Sequence, residues 1–180
     1  MCSSDLLWIS RAFCKTLRLR FKDLDHTSSK EEPPDVQFRD AKFEVKEILD
    51  PKRPRHAEFK AALRTAQAAT SPNQLMSNQP FAATMCPPAK IAVHVRQKLE
   101  ELNTQYPPAV RARLDLLLYV NLASYFFKSG PMPSEQSFAA FGWRSVSAFE
   151  NSASLVFFAA PSAPRFLRQR RGLYKVRYAI

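Results

Sequence analysis

The order of segments along the chain predicts an α/β sandwich built around a mixed β-sheet. An amphipathic helix and a strand pair come first, and further helices and strands alternate toward the C-terminus. At 180 residues and 46% hydrophobic content, the chain can bury a core as one domain. Helices and strands in such an order are typical of a sheet with helices packed on its faces.

Apolar periodicity and chain breakers place each element in turn. Helices are predicted over residues 4–17, 55–69, 89–103 and 164–171. Strands are predicted over residues 19–21, 36–38, 43–48, 143–149, 154–159 and 173–179, and the apolar run 114–122 fits either a buried strand or a helix. Polar composition predicts loops over residues 22–32 and 70–88, and we expect the second loop to be long and mobile.

The two strands 36–38 and 43–48 predict a tight hairpin because polar and apolar residues alternate in both. If Asp40 and Ala41 form the loop, Asp35 faces Lys46 and Gln37 faces Glu44. One face then carries four polar side chains, Asp35, Gln37, Glu44 and Lys46. The opposite face, turned toward a core, carries Phe38, Phe43 and Val45.

The hairpin also contains the one motif with chemistry attached: Pro34-Asp35 followed by Glu44-Val45-Lys46. Two neighbouring carboxylates form a hard oxygen site for Mg²⁺, which binds through carboxylates, waters and substrate phosphate. A neighbouring ammonium can orient an attacking water and offset negative charge that develops on phosphorus. The alternative is an ordinary surface hairpin whose solvated face happens to carry these polar residues.

This Pro-Asp and Glu-x-Lys pattern resembles the PD-(D/E)xK nuclease superfamily, whose fold is restriction-endonuclease-like. The resemblance implies that Asp35 and Glu44 bind Mg²⁺ or Mn²⁺, with the carbonyl of Val45 as a third ligand. It implies that Lys46 positions or activates the attacking water and that Gln37 supports the geometry of the site.

Four segments are similar to a family of short bacterial proteins of unknown function, labelled "putative endonuclease" by its similarity to the same fold. The segments are EPPDVQFRDAKFEVKEILD, RLDLLLYVNL, FGWRSVS and APSAPRFLR. The overlap runs from about residue 32 to the C-terminus. By this resemblance we expect the chain to begin late in the family's first helix, which leaves Asp5 as the only early candidate for the helical acid that helps such nucleases to hold metal.

The charge distribution predicts a polyanionic partner. The net charge is +11, and no Asp or Glu follows Glu150. Nucleic acid is the first expectation and an anionic membrane surface the second, whereas simple solvated surface is the alternative for any single basic run. The residues expected to contact phosphates are Lys52, Arg53, Arg55, Arg168, Arg170 and Arg171.

Other classes of protein lack sequence support. Three glycines cannot supply a clustered phosphate-binding loop, and His26, His56 and His94 show no zinc-ligand spacing. Cys2, Cys14 and Cys86 have no paired spacing, which favours reduced thiols in a cytoplasmic protein. No apolar run approaches the roughly 20 residues that a membrane-spanning helix needs.

The sequence therefore predicts a Mg²⁺-dependent (or Mn²⁺-dependent) endonuclease that hydrolyses phosphodiester bonds in DNA in preference to RNA. A non-catalytic nucleic-acid-binding protein that keeps the same fold is the second interpretation. A structural interaction protein whose charge serves only solubility is the third. Strandedness, oligomeric state and pathway stay open at this point.

Overall fold

A seven-stranded mixed β-sheet lies at the centre of the structure, a computed structural model that describes residues 2–50, 64, 67–68, 84–122 and 125–175. The described helices are α1 (Ser3–Thr16), α2 (Pro88–Asn103), α3 (Pro108–Arg111), α4 (Gln136–Ala139) and α5 (Arg165–Arg168). The first four strands are β1 (His26–Ser28), β2 (Val36–Phe38), β3 (Ala41–Leu49) and β4 (Thr84–Cys86). The others are β5 (Asp115–Asn121), β6 (Tyr125–Phe127), β7 (Ser145–Glu150), β8 (Ala153–Ala159) and β9 (Gly172–Lys175).

The strand order in the main sheet is β1-β2-β3-β5-β7-β8-β9. The three central strands, β3, β5 and β7, run parallel, whereas the outer pairs on both sides are antiparallel. Strands β4 and β6 form a separate parallel pair. The predicted mixed α/β architecture is therefore confirmed, and the run 114–122, which fitted either a strand or a helix, is mostly strand β5.

Two apolar cores cover the two faces of the sheet. Alternate residues of β5 pack into different cores: Leu116 and Leu118 belong to one core and Leu117 to the other. Burial on both faces explains why this strand has a continuous apolar sequence. Helix α2 packs in the first core, which we call the α2 core, and helices α1 and α5 pack in the second, the α1 core.

Helical periodicity predicted the packing of both long helices. In α2, Ile91, Val95, Leu99 and Leu102 recur at helical spacing and are all buried. Phe13 of helix α1 and Leu17, which caps its C-terminus, are buried in the α1 core, while Leu6 and Leu7 pack partly buried against it. None of the helices in the described ranges is both long and apolar enough to cross a membrane.

The first strand lies later in the chain than the sequence predicted. No strand forms over residues 19–21; β1 instead occupies His26–Ser28, inside the predicted polar loop. Phe21 packs against two rings instead of forming a strand: its ring centroid lies 4.8 Å from that of His26 and 5.6 Å from that of Phe38. His26 is buried and stacks on Phe38 at 4.1 Å, so a histidine supplies the inward position of this edge strand.

The hairpin has a different register from the predicted one, but the same faces. Its loop is Arg39-Asp40, because Phe38 pairs with Ala41 and Gln37 pairs with Lys42. Arg39 accommodates the turn with a left-handed φ of 54°, while Ala41 is buried at the start of β3. The shift is two residues along β3, and since side chains alternate with period two, no side chain changes face.

The strand ends are tied together by one buried carboxylate. Asp115, which is fully buried, accepts hydrogen bonds from the backbone N–H of Lys42 (2.9 Å) and the hydroxyl of Ser145 (2.8 Å). It also pairs with the guanidinium of Arg144, which donates a further hydrogen bond to the carbonyl of Asp40 (3.0 Å). These bonds connect β3, β5, β7 and the hairpin loop through one side chain.

Several predictions fall partly or wholly outside the described residues. They are most of the helix 55–69, most of the loop 70–88 and the end of the strand 173–179. Within the described part, the loop ends early, because residues 84–86 form β4 and Pro88 begins α2. The helix predicted over residues 164–171 is shorter, Arg165–Arg168. All three cysteines are free, as their spacing predicted.

Candidate catalytic site

Asp35, Glu44 and Lys46 lie together on the face of the hairpin that is turned toward the α2 core. The Nζ atom of Lys46 is 2.5 Å from Oε1 of Glu44 and 3.8 Å from Oδ2 of Asp35. Phe43 and Val45, which alternate with them along β3, point into the α1 core. The period-two pattern therefore predicted this grouping of charged side chains correctly.

Asp35 is held at the end of β2 by backbone contacts with β3. Its N–H donates to the carbonyl of Phe43 (3.0 Å), and its Oδ2 accepts from the N–H of Val45 (2.8 Å). The N–H and C=O of one strand residue point to the same side of the strand. The carbonyl of Val45 therefore faces the same edge as the Asp35 carboxylate.

Glu44 is a buried carboxylate with unequal oxygens. The residue is only 3% exposed, and its Oε1 accepts both the Lys46 ammonium and the hydroxyl of Tyr106, the latter at 2.5 Å. Its Oε2 is buried without a hydrogen-bond partner among the described residues. A buried carboxylate oxygen with unused lone pairs is costly unless a further cation or donor is bound.

Tyr106 is a site residue that sequence analysis missed. It lies between α2 and α3, 62 residues after Glu44, and its ring packs 5.4 Å from the ring of Trp143. Burial, followed by the hydrogen bond to Glu44, raises the pKa of Tyr106 to about 12. The phenol therefore stays protonated at neutral pH and donates to the carboxylate.

Lys46 is held as an ammonium. Burial by itself lowers the pKa of Lys46, but the hydrogen bond and charge of Glu44, helped by Tyr106 and Asp35, raise the pKa above its ordinary value. The ammonium also lies 5.7 Å from the centroid of the Tyr106 ring, where a cation is attracted to the ring face. At neutral pH this side chain can orient a ligand or stabilise an anion, but it has no free electron pair to take a proton.

Gln37 lies beside the charged group rather than within it. In the observed register it pairs with Lys42, which lies two residues closer to the loop than Glu44. Gln37 and Lys42 line a pocket of about 330 Å³, to which Arg113 contributes a second cation. The pocket opens on the same face as the carboxylates, since Gln37 and Lys42 alternate with inward residues as Asp35 and Glu44 do.

The donor set fits a divalent cation in part. Asp35, the free Oε2 of Glu44 and the carbonyl of Val45 are hard oxygen donors of the kind that Mg²⁺ prefers. Within the described ranges, no three His, Cys, Asp or Glu side chains group closely enough to bind a metal. Asp5 accepts the N–H of Cys2 at 3.0 Å and so caps its own helix.

The predicted phosphate-contacting residues are dispersed. Arg168 donates to the carbonyl of Ala163 (3.0 Å), and Arg171 pairs with Glu135 at 2.5 Å. Arg170 donates to the carbonyl of Leu17 and lines a cleft beside α1. The other three predicted contacts, Lys52, Arg53 and Arg55, lie outside the described residues.

The fold and site define an α/β protein with paired carboxylates and a lysine on one face of a sheet hairpin. Residues 5–177 match the model of a family described as "Putative endonuclease, protein of unknown function (DUF1780)". The chain belongs to this DUF1780 family, which confirms the closer of the two resemblances noted in the sequence.

A solved structure is similar to this chain over most of its length. It is that of a protein of unknown function from Pseudomonas aeruginosa strain PAO1, described as belonging to the monooxygenase superfamily. The TM-score is 0.65 at 23% identity, and the match covers 97% of this chain and 83% of the other. At this identity the likeness concerns the fold alone, and the restriction-endonuclease-like assignment stays a prediction. No curated protein matches the chain.

Proposed function

We propose that this protein is a metal-dependent phosphodiesterase of the PD-(D/E)xK type that acts on DNA. The observation that carries the proposal is the convergence of Asp35, Glu44 and Lys46, with the Lys46 ammonium 2.5 Å from one carboxylate and 3.8 Å from the other. The description of the DUF1780 family as "Putative endonuclease" agrees with the proposal, although that label derives from similarity to the same fold. The net charge of +11 agrees with a polyanionic substrate.

Asp35, Glu44 through its free Oε2, and the carbonyl of Val45 would hold Mg²⁺ or Mn²⁺. When bound, the cation would polarise the phosphodiester and offset the charge of the oxygens around phosphorus. Tyr106 keeps the buried Glu44 carboxylate in place through its 2.5 Å hydrogen bond. A site fixed before substrate arrives spends no free energy on reorganisation during the reaction.

Lys46 would orient the attacking water and stabilise the developing negative charge. Its raised pKa favours this role over that of a general base, because a base must first lose its proton. Of the two roles that the sequence suggested, positioning the water is therefore the one we retain. The proton of the water must pass to substrate or solvent.

The neighbouring pocket would receive a phosphate adjacent to the scissile bond. Lys42 and Arg113 line it beside Gln37, and Lys42 is two residues away from Glu44 along β3. Two residues span about 7 Å along a strand. That separation is close to the distance between successive phosphates of an extended nucleic-acid strand.

The test is metal-dependent nicking of supercoiled plasmid by the purified protein. Wild type should cut in Mg²⁺ or Mn²⁺, and Lys46→Ala should abolish cutting while leaving most of the DNA affinity measured in Ca²⁺. The reason is that losing an interaction made only as charge develops lowers the reaction rate without weakening substrate binding. Lys46→Arg should rescue poorly, because a planar guanidinium does not replace a compact ammonium.

A matched control is Lys98→Ala, which removes an ammonium paired with Glu101 on the surface of α2. It should cut at the wild-type rate. Equal cutting by wild type and Lys46→Ala would place the activity elsewhere or in a contaminant.

A non-catalytic nucleic-acid-binding protein is the second candidate. The observation that favours it is that the Lys46 ammonium already contacts both carboxylates and supplies part of the charge that a metal would bring. If wild type binds DNA but cuts no plausible substrate with any divalent cation, this second function is the correct one.

A further inference from the structure

We propose that the side of the sheet opposite the carboxylates carries a second binding site, a groove for single-stranded nucleic acid. Its walls come from α1, α5, the connection that follows α1 and the hairpin loop, and both helices pack in the α1 core. The proposal goes beyond the phosphodiesterase function and does not depend on it.

The first half of the groove is a cleft of about 570 Å³ lined by arginines. The five arginines come from three parts of the chain, and they are Arg18, Arg20, Arg39, Arg165 and Arg170. Among the described residues that line the cleft, the only acidic one is Asp40. Five cations facing one acid give the cleft a strong positive potential, which attracts a ligand with several negative charges.

These guanidinium groups are available to a ligand. None of the five forms an ion pair with a described residue, in contrast to Arg144 and Arg171, which pair with Asp115 and Glu135. Two of the five are nevertheless fixed in place through a backbone carbonyl. Arg39 donates to the carbonyl of Arg20 (2.6 Å), and Arg170 donates to that of Leu17 (2.9 Å). Fixing a donor before binding reduces the entropy that binding must overcome.

Backbone conformation also singles out this cleft. Arg18 and Arg39 are the two non-glycine residues with positive φ in the described ranges, at 57° and 54°. Glycine would adopt this conformation with less strain. Both strained positions carry arginine and line the same cleft, which agrees with a requirement for the guanidinium groups at these places.

The second half of the groove adds an aromatic surface. A cleft of about 740 Å³ shares Leu19 and Arg20 with the first, so the two clefts adjoin at these residues. It is lined by Trp8, Phe21, Arg11 and Lys15 among others. Trp8 is 50% exposed although it is a large apolar side chain.

Cations in a groove with an exposed aromatic ring match the chemistry of a single strand. Phosphates follow the cations, and an unpaired base can stack on the indole of Trp8. A base inside a duplex is already stacked on both faces and is not free to do so. The concave shape also suits a chain-like ligand better than a flat anionic membrane.

The test measures fluorescence anisotropy of a labelled oligothymidine of about 20 nucleotides, longer than one such binding groove. EDTA is present throughout, so that binding is followed without cleavage. The triple variant Arg18→Gln, Arg20→Gln, Arg165→Gln changes side chains for which no hydrogen bond is observed within the described residues. We expect it to bind weakly and to make the log–log salt slope shallower by about 2, since each lost contact to a single strand removes about 0.7.

The matched control removes the same three charges on and beside α2, through Lys90→Gln, Arg96→Gln and Lys128→Gln. It should keep nearly all of the affinity. Trp8→Leu, which keeps an apolar side chain against Phe149, should weaken binding by about fivefold or more and leave the salt slope unchanged. Thermal melting confirms that each variant is folded.

Three results would overturn the proposal. The control could lose as much affinity as the triple variant, duplex DNA could bind as tightly as the oligothymidine, or vesicles of phosphatidylcholine and phosphatidylserine could bind in place of nucleic acid. Intact binding in a protein that never cuts plasmid would refute the phosphodiesterase function alone. Plasmid cutting with no oligothymidine binding would refute the groove alone.

Discussion

Lys46→Met is the change in the site that we expect to cost most free energy of unfolding. The variant keeps the length of the side chain but removes the ammonium that lies 2.5 Å from the Glu44 carboxylate. Glu44 is 3% exposed, so its charge would keep only the hydroxyl of Tyr106 as a partner. Removing one member of a buried ion pair costs about 3–5 kcal/mol. We expect about 3 kcal/mol here, because the Lys46 side chain is 28% exposed and water can partly replace it.

A double-mutant cycle tests the reason for this loss. Lys46→Met combined with Glu44→Gln removes both charges, so the double variant should be more stable than Lys46→Met alone. Urea unfolding at pH 7 gives the free energies by linear extrapolation. Lys98→Met is the control, because Lys98 forms a 2.8 Å pair with an exposed Glu101 and should lose less than about 1 kcal/mol.

Two results would refute the reasoning. One is a loss below about 1 kcal/mol for Lys46→Met, which is the behaviour of an exposed pair. The other is a double variant that is no more stable than Lys46→Met. In either case Glu44 would not depend on Lys46 for compensation of its charge.

Three further predictions follow from the geometry. Mg²⁺ or Mn²⁺ should raise the melting temperature of wild type by calorimetry, and an equal response in an Asp35→Ala, Glu44→Ala variant would exclude a metal at this site. Tyr106→Phe should lower the free energy of unfolding in urea by about 1.5–3 kcal/mol, because it removes a hydrogen bond to a buried carboxylate; an unchanged stability would contradict the role assigned to Tyr106. Burial, with help from the charge of Arg11, lowers the pKa of His26 from 6.5 to about 4. The free energy of unfolding that the neutral His26 contributes is present above pH 6.5 and is lost as pH falls toward 4, by up to about 3 kcal/mol. His26→Phe should therefore make stability, measured by urea unfolding, depend less on pH between 6.5 and 4. A pH dependence as steep as that of wild type would assign the loss of stability in acid to other groups.

Local patterns were sufficient to predict the hairpin face and the long helices. Period-two alternation placed Asp35, Glu44 and Lys46 on one face, and an error of two residues in the register did not change that result. Helical spacing likewise predicted the buried face of α2. Both patterns succeed because they depend only on residues that are near neighbours in the chain.

Long-range contacts explain what the sequence could not reveal. Tyr106 reaches Glu44 across 62 residues, and no local pattern marks a loop tyrosine as a partner of a strand carboxylate. Strand β1 was missed because its buried position is occupied by His26, a polar residue that packs against Phe38 in place of an apolar one. The arginine cleft combines three segments that are far apart in the chain, so Arg170 was predicted to contact phosphate while Arg18 and Arg20 were not.

The Asp115 network affects how mutational data on this protein should be interpreted. Asp115 accepts a hydrogen bond from the N–H of Lys42, and its neighbour Leu116 pairs with Glu44. A disturbance at Asp115 therefore reaches Glu44 through the adjacent pair of residues in the sheet. A scan of acidic residues by activity alone would therefore group Asp115 with Asp35 and Glu44. Its carboxylate nevertheless belongs to the scaffold, because it lies on the α1 side of the sheet and is fully buried. The acids proposed to act on substrate can be told apart from an acid that holds strands in place only when folding is measured beside turnover.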